Sequence, residues 1–186
     1  MGKLVLVTGG ARSGKSRFAE KYALRYGKKV AYVATAEIYD DEMNFRVKLH
    51  KERRPAAWQT IEAPYAAENA VGEAAAAGFD FILLDCLTLY VSNIFAKLSS
   101  VEDSAVNYRV VRESLSKLLA ASRQFPGTML VVTNEVGDGI VPVNRLAREY
   151  RDLAGVANQF IAEAADEVYF VVCGLATEIK KNAVRL

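Results

Sequence analysis

The sequence predicts an α/β fold in which a mainly parallel sheet is covered by helices on both faces. Apolar runs of strand length alternate with longer runs of helical periodicity along the 186 residues. The strand-length runs are nearly continuously apolar, which is typical of strands buried on both faces. The first of them leads directly into a glycine-rich loop and a helix. No internal repeat or low-complexity tract is present, so we interpret residues 1–186 as one domain.

The first strand and helix flank a phosphate-binding loop. The apolar residues 4–8 precede residues 9–16, which have the pattern G-x-x-x-x-G-K-[ST], and an amphipathic run over residues 15–26 follows. In such a loop the backbone N–H groups converge on phosphate oxygens, Lys15 adds a cation, and the Ser16 hydroxyl is placed for Mg²⁺. An ordinary glycine-rich turn is the alternative, but such a turn would not explain why Lys15 and Ser16 follow the second glycine. The loop therefore predicts binding of a nucleoside triphosphate.

The second strand is predicted over residues 29–34, with residues 35–37 at its carboxyl end, where open α/β sheets carry ligands. Acidic residues at 40–42 and helical spacing after them predict a helix over residues 40–54, which Pro55 ends. Residues 57–61 are a weaker strand prediction.

A helix over residues 64–77, with Pro64 first and Gly78 after it, is followed by a buried strand over residues 79–85. This strand ends on Asp85, as a Walker B segment does. A carboxylate there is the usual partner of a phosphate loop, because Mg²⁺ on the triphosphate needs an acid near Ser16. An acidic strand end at the surface is the alternative, and we favour the metal role.

The rest of the chain continues the alternation of helices and strands. A polar connection over residues 99–103 separates two of the helices. The remaining predicted elements are two helices, a strand, a glycine-rich loop, a helix and a last strand, over residues 87–98, 104–124, 128–133, 134–142, 144–165 and 167–173. Together these features predict a RecA-like P-loop NTPase, a three-layer α/β sandwich with a mainly parallel central sheet.

Composition excludes several classes of function. Charged residues make up 25% and hydrophobic residues 52%, as in ordinary globular proteins, and the net charge of +2 is too mild for a nucleic-acid-binding surface. Cys86 and Cys173 match no metal-ligand spacing, and no apolar run is long enough to cross a membrane. We therefore expect a cytoplasmic protein with neither a nucleic acid nor a membrane as partner.

The only histidine, His50, lies in residues 46–54, where five of nine residues are basic. Nearby cations disfavour the imidazolium, and a neutral imidazole can attack phosphorus while the cations offset the charge that accumulates there. A solvated basic helix with an incidental histidine is the alternative, and the charge pattern alone favours it.

Five segments of the sequence reverse this preference and favour a catalytic role for His50. They are TGGARSGKSRFAE, DDEMNFRVKLHKERRP followed by Trp58, LLDCLTLYVSN, VVTNEVGDGIVPVNRLAREYRDLAG and NQFIAEAADEVYFVVCG. From end to end, the chain resembles the bifunctional adenosylcobinamide kinase and adenosylcobinamide-phosphate guanylyltransferase family of cobalamin biosynthesis. The resemblance is specific, because phosphate-loop kinases in general lack the segment around His50 and the TNEVGxGIVP loop.

The resemblance implies two reactions. A nucleoside triphosphate, GTP or ATP, first phosphorylates the aminopropanol hydroxyl of adenosylcobinamide. GTP then gives GMP to adenosylcobinamide phosphate through a guanylylated histidine, which releases pyrophosphate. His50 has the position of this nucleophile, and Lys15 is the second catalytic residue. Some members carry a further histidine where this chain has Leu49, so a two-histidine mechanism is excluded.

The resemblance also implies the site residues and the oligomer. The nucleotide contacts correspond to Gly9, Gly10, Ala11, Arg12, Ser13, Gly14, Lys15, Ser16, Thr35, Ala36, Glu37, Lys51, Glu52, Arg53, Arg54, Glu62 and Asp85. Ser16 and Asp85 are the expected Mg²⁺ ligands, and a homotrimer is expected. The first rival function is a plain small-molecule phosphate-loop kinase without nucleotidyl transfer. The second is a GTPase switch or a RecA-like ATPase that acts on macromolecules.

Overall fold

The computed structural model describes residues 2–37, 48, 51, 54–98 and 103–184. Within these residues one sheet has seven strands: β1 Lys3–Thr8, β2 Val30–Ala34, β3 Gln59–Glu62, β4 Phe81–Asp85, β5 Thr128–Val132, β6 Glu167–Val172 and β7 Leu175–Glu178. Their order is β3-β2-β4-β5-β1-β6-β7. All pairings among β1 to β6 are parallel, and β7 runs antiparallel to β6.

Five helices lie wholly within the described residues, and they match the predicted bounds to within one residue except at the second helix. They are α1 Lys15–Tyr26, α2 Ala67–Ala76, α3 Leu87–Leu98, α4 Ser104–Gln124 and α5 Arg145–Ala164. Asp103 caps α4 by accepting a hydrogen bond from the Ala105 amide, and Asn144 caps α5 by accepting one from the Ala147 amide. Short 3₁₀ helices cover Val136–Asp138 and Lys180–Asn182.

Helices cover both faces of the sheet, which confirms the predicted three-layer α/β sandwich. In β1, alternate side chains point to opposite faces. Val5 and Val7 pack with Ala19 and Ala23 of α1. Leu6 belongs to the other cluster, in which side chains of α2, α3, α4 and α5 pack. Among the helices in the described residues, α1 therefore covers one face of the sheet and α2, α3, α4 and α5 cover the opposite face.

The helix α2 begins later than predicted. We expected it to start at Pro64, but it starts at Ala67. The residues before it still belong to the sheet edge, because the Ala63 amide donates to the Ala34 carbonyl at 2.8 Å and the Asn93 side-chain amide donates to the Pro64 carbonyl at 3.1 Å. These bonds hold Pro64 in the connection after β3.

The sequence patterns do not predict β7, and the prediction that β6 is the last strand was wrong. Residues 175–178 contain no apolar run, and the turn before them puts Cys173, not a glycine, at a positive φ of 52°. Only pairing with β6 makes this segment a strand. The predicted helix over residues 40–54 and connection over residues 99–103 lie mostly outside the described residues.

The parallel strands β1 to β5 end at one side of the sheet, which we call the carboxyl edge. It consists of the last residues of these strands, Thr8, Ala34, Glu62, Asp85 and Val132, and of the residues directly after them. The phosphate-binding loop and most of the predicted site residues lie there. No helix within the described residues has the length and apolar character to span a membrane.

Candidate nucleotide site at the carboxyl edge

The phosphate-binding loop has the backbone shape that its sequence predicts. Gly9 and Gly14 have φ values of 155° and 98°, which only glycine adopts readily. Gly14 is the N-cap of α1, and this end of the helix has no acidic residue in its first turn and no side-chain cap from any residue that the structure describes. The first amide groups of a helix lack intrahelical partners and carry partial positive charge. The start of α1 is therefore available to an anion.

A cradle for phosphate lies within the loop. The Ser13 hydroxyl is buried and has no hydrogen-bond partner among the residues that the structure describes. An added Cβ at Gly10 would meet nothing within 4 Å. An unpartnered hydroxyl in this loop fits a ligand that accepts or donates hydrogen bonds, as a phosphate group does, and the open side of Gly10 leaves room for one.

Lys15 is the buried cation of this loop and is 8% exposed. Its Nζ donates a 3.0 Å hydrogen bond to the Gly10 carbonyl across the loop. Burial lowers the pKa of Lys15, while the nearby Cys86 and Asp85 oppose the shift. The ammonium is thus partly desolvated, which strengthens its attraction to a phosphate.

The turn between β6 and β7 braces the loop from outside, which sequence reasoning missed. The Gly174 amide donates a 2.7 Å hydrogen bond to the Ser13 carbonyl. A Cβ on Gly9 would lie 2.4 Å from the Val171 carbonyl oxygen. The family segment that ends in VVCG contains this turn, but no spacing rule connects it to a loop more than 150 residues earlier.

Asp85 lies at the end of β4, two strands from β1, which leads into the phosphate loop. Its Oδ2 accepts a 2.8 Å hydrogen bond from the Tyr32 hydroxyl. Burial, followed by the charge of Asp85, raises the pKa of Tyr32 far above its usual range, so this phenol stays a donor. A hydroxyl such as that of Ser16 and a single carboxylate are the oxygen donors that suit Mg²⁺ held mainly by phosphates.

Arg54 extends this cluster toward the segment that contains His50. Its guanidinium carbon is 3.3 Å from the centroid of the Tyr32 ring, and Nη1 donates to the Thr60 hydroxyl at 3.2 Å. The Nε atom is buried and has no partner within the described part of the chain. The charge of Arg54 therefore lies against an aromatic face at the carboxyl edge.

The residues after β2 have different environments. Thr35 is fully buried, and its hydroxyl donates to the Cys86 carbonyl at 2.7 Å and accepts from the Cys86 amide at 2.8 Å. This side chain joins β2 to β4. Glu37 accepts a 2.5 Å hydrogen bond from the Tyr65 hydroxyl. Ala36 lies between them at the same edge.

Lys51 and Glu62 form an exposed ion pair, with Lys51 Nζ 3.1 Å from Glu62 Oε1. Glu62 is the last residue of β3, so the pair ties Lys51 to the carboxyl edge. The other predicted residues of this segment, His50, Glu52 and Arg53, lie outside the described residues. In the loop, Ala11 and Arg12 are exposed, and Arg12 has a positive φ of 57°.

The sequence is similar to known proteins over nearly its whole length. Residues 5–179 match the CobU family, described as cobinamide kinase / cobinamide phosphate guanyltransferase. The chain is 45% identical to the bifunctional adenosylcobalamin biosynthesis protein CobU of Salmonella typhimurium over 182 residues, which cover 95% of this chain and 99% of that protein. It is 42% identical to the bifunctional adenosylcobalamin biosynthesis protein CobP of Pseudomonas aeruginosa over 175 residues, with coverages of 94% and 96%.

Two solved structures resemble the fold at low sequence identity. An ATPase of a bacterial type III secretion system gives a TM-score of 0.61 at 13% identity, covering 100% of this chain and 59% of that chain. The KaiC-like protein PH0186 of Pyrococcus horikoshii gives 0.48 at 19% identity, with coverages of 90% and 70%. The likeness to the secretion ATPase shows a shared P-loop NTPase fold and nothing about substrates.

Proposed function

The chain belongs to the CobU family of cobinamide kinases and cobinamide phosphate guanyltransferases, and we propose that it performs both reactions on the adenosyl forms of these substrates. A nucleoside triphosphate phosphorylates the aminopropanol hydroxyl of adenosylcobinamide. GTP then gives GMP to adenosylcobinamide phosphate through a guanylylated His50, yielding adenosylcobinamide-GDP and pyrophosphate. The observation that carries the proposal is the buried Lys15 in a phosphate loop at the uncapped start of α1.

Both reactions need the triphosphate to be bound by the same groups. The loop amides and Lys15 hold the β- and γ-phosphates during phosphoryl transfer, and they hold the departing pyrophosphate during guanylyl transfer. Because Lys15 is fixed on the Gly10 carbonyl at 3.0 Å, little reorganisation is needed when the anion arrives.

Mg²⁺ belongs with this triphosphate, and the residues present fit it. The Ser16 hydroxyl and the Asp85 carboxylate would hold the ion, with Tyr32 orienting the carboxylate. When bound, Mg²⁺ would neutralise charge on the phosphate oxygens. ATP and GTP are both compatible with a loop that contacts only phosphates.

Guanylyl transfer by His50 needs this residue to approach the α-phosphate. Two contacts support that approach: Lys51 pairs with Glu62, and the guanidinium of Arg54 packs on the Tyr32 ring. Both ends of the proposed contact segment 51–54 are therefore attached to the carboxyl edge. An imidazole nitrogen attacks the α-phosphorus, a P–N bond forms, and the bond to pyrophosphate breaks. An oxygen of the acceptor phosphate then displaces the imidazole. Lys51, Arg54 and the neighbouring Arg53 offset the charge on the attacked phosphorus.

Labelling with GTP tests the covalent step. Wild type incubated with Mg²⁺ and GTP carrying a labelled α-phosphate is expected to retain acid-labile label, whereas His50→Ala retains none. His50→Ala should still phosphorylate adenosylcobinamide, and that activity shows that the variant is folded. Leu49→His is a matched control for the neighbouring position, and label on it should still depend on His50.

The outcomes separate the proposed function from its rivals. Wild type that phosphorylates adenosylcobinamide but stays unlabelled and forms no adenosylcobinamide-GDP is a plain kinase. Wild type that neither phosphorylates the corrinoid nor takes up label contradicts both halves, and hydrolysis stimulated by DNA would then favour the ATPase rival.

We also propose a homotrimer that works in the cytoplasm without a nucleic acid or membrane partner. Ile140 and Val143 are almost fully exposed on the loop after β5, and a subunit interface would cover such side chains. Light scattering on purified protein is expected to give three times the chain mass of 20.4 kDa. A mass equal to that of one chain at micromolar concentration would contradict the trimer.

A further inference from the structure

The glycine-rich loop after β5 places an acid beside the phosphate loop. The amide of Glu135 donates a 3.2 Å hydrogen bond to the Gly9 carbonyl, the first residue of the phosphate loop. The hydroxyl of Thr8, the last residue of β1, donates to Glu135 Oε1. Both the backbone and the carboxylate of Glu135 are thus joined to the strand and loop that would grip the triphosphate.

A second element fixes the carboxylate from the other side. The Asn158 side-chain amide, on α5, donates to Glu135 Oε1 at 3.4 Å and to the Asn134 carbonyl at 3.0 Å. Asn158 is held in turn by the Thr133 hydroxyl, which donates to its Oδ1 at 2.6 Å. The hydrogen bonds from Thr8 and from Asn158 to the Glu135 side chain therefore reach the same oxygen, Oε1. The Oε2 atom has no hydrogen bond to another of the described residues.

The strand order puts this acid in the middle of the carboxyl edge. Strand β5 lies between β1, which carries the phosphate loop, and β4, which carries Asp85. Glu135 follows β5 by three residues and is partly exposed. Glu135 therefore lies between the phosphate loop and Asp85 in the order of the strands.

The other described acids of the edge have partners that suit other roles. Asp85 accepts the Tyr32 hydroxyl and is the proposed metal ligand. Glu37 accepts the Tyr65 hydroxyl, and Glu62 pairs with the Lys51 ammonium. The described contacts of Glu135 are all to neutral groups, and they leave one oxygen for a ligand.

We propose that Glu135 is the general base of the phosphorylation step, an inference that rests on the proposed function. The Glu135 carboxylate accepts the proton of the acceptor hydroxyl while the hydroxyl oxygen forms a bond to the γ-phosphorus. The bond from that phosphorus to the bridging oxygen breaks, and the electron pair leaves with the nucleoside diphosphate. Guanylyl transfer starts from a phosphate that is already ionised, so it needs no such base.

That difference provides the test. Glu135→Gln keeps the size of the side chain and an oxygen that can accept from Thr8 and Asn158, but it removes the base. With adenosylcobinamide and ATP, we expect kcat to fall at least about 100-fold, within the usual range for loss of a general base. GTP labelling and guanylyl transfer to preformed adenosylcobinamide phosphate should change less than about threefold. Asp138→Asn, an exposed acid on the same loop, is the matched control and should change neither half.

The contrary outcomes identify a different role. If Glu135→Gln loses both phosphorylation and guanylyl transfer, Glu135 stabilises the phosphate loop instead, and the proposal is overturned. An unchanged kinase rate would overturn it as well. Glu135→Asp is a second variant, in which a shorter carboxylate should restore part of the kinase rate. Failure of the proposed function would differ from all of these, because wild type itself would then lack the reactions.

Discussion

The Tyr32 hydroxyl donates a 2.8 Å hydrogen bond to Oδ2 of Asp85, across the two neighbouring strands β2 and β4. The bond leaves Oδ1 as the oxygen that can turn toward a metal. Tyr32 also connects Asp85 to Arg54, whose guanidinium carbon lies 3.3 Å from the centroid of the Tyr32 ring. A change at the Tyr32 hydroxyl therefore tests the orientation of the carboxylate without removing the ring.

Tyr32→Phe should weaken the response to Mg²⁺. The variant keeps the ring under Arg54 but frees the Asp85 carboxylate, and groups that orient a metal ligand commonly contribute 10–100-fold in metal affinity or activity. We expect the Mg²⁺ concentration for half-maximal kinase activity to rise about tenfold, measured by titration at saturating nucleotide. Tyr90→Phe, which loses a 3.5 Å hydrogen bond to Glu68, is the control. An unchanged Mg²⁺ titration would show that Asp85 does not depend on Tyr32.

Gly9→Ala should abolish triphosphate binding and destabilise the fold. The new Cβ would lie 2.4 Å from the Val171 carbonyl oxygen, and the backbone φ of 155° is strained for alanine. Neither the loop nor the β6 backbone can move without breaking the brace, so we expect a loss of more than about 2 kcal/mol in the free energy of unfolding. Urea unfolding and fluorescent nucleotide titration check both effects. Stability close to wild type would mean that the loop and β6 can separate.

Gly72→Ala, in contrast, should raise the free energy of unfolding. Gly72 lies inside α2, and an added Cβ there meets nothing within 4 Å. Replacing a glycine inside a helix by alanine removes backbone freedom from the unfolded chain, so we expect a gain of about 0.5–1 kcal/mol in urea unfolding. Gly27→Ala is the contrasting variant, since its Cβ would lie 2.7 Å from Cβ of Phe81. Equal effects from the two variants would contradict this argument.

The two cysteines should react very differently with a thiol reagent. Cys173 is exposed, whereas Cys86 is buried, and burial followed by the charge of Asp85 raises the pKa of the Cys86 thiol to about 11. Because the thiolate is the reactive form, native protein at pH 8 should consume one equivalent of reagent quickly and two after denaturation. Mass spectrometry of the peptides would identify the labelled residue. Rapid native labelling of Cys86 would show that the carboxyl edge opens in solution.

Local patterns predicted most of the fold and only part of the site. The strand, loop and helix over residues 3–26 follow from apolar runs and from glycines at fixed spacing, all within one stretch of chain. The contact between Tyr32 and Asp85 joins residues 53 positions apart, and a tyrosine in an apolar strand has the appearance of an ordinary core residue. Residues 175–178 became a strand through pairing with β6 alone. Such tertiary contacts have no periodic signal in the sequence.

Glu167 gives the fold a dependence on acid. Its carboxylate pairs with Lys3 at 2.6 Å and accepts hydrogen bonds from Tyr22 at 2.9 Å and Tyr169 at 3.1 Å. Burial by itself would raise the pKa of Glu167, but these three partners outweigh it and hold the pKa below the ordinary value of 4.5. The folded state therefore binds a proton at this carboxyl less readily than the unfolded state does.

A carboxyl whose pKa is depressed on folding contributes stability that is fully present above its unfolded pKa and is lost as the pH falls through the folded value. Lys3 stays charged throughout this range, because its hydrogen bonds to Glu167 and Tyr22 outweigh burial and raise its pKa. The free energy of unfolding of wild type should exceed that of Glu167→Gln by about 1 kcal/mol between pH 6 and 8. The difference should shrink below about pH 4.5. Urea unfolding at a series of pH values measures it, with the exposed Glu113→Gln of α4 as control. A difference that stays constant down to pH 3 would mean that packing, not the charge of Glu167, accounts for the loss.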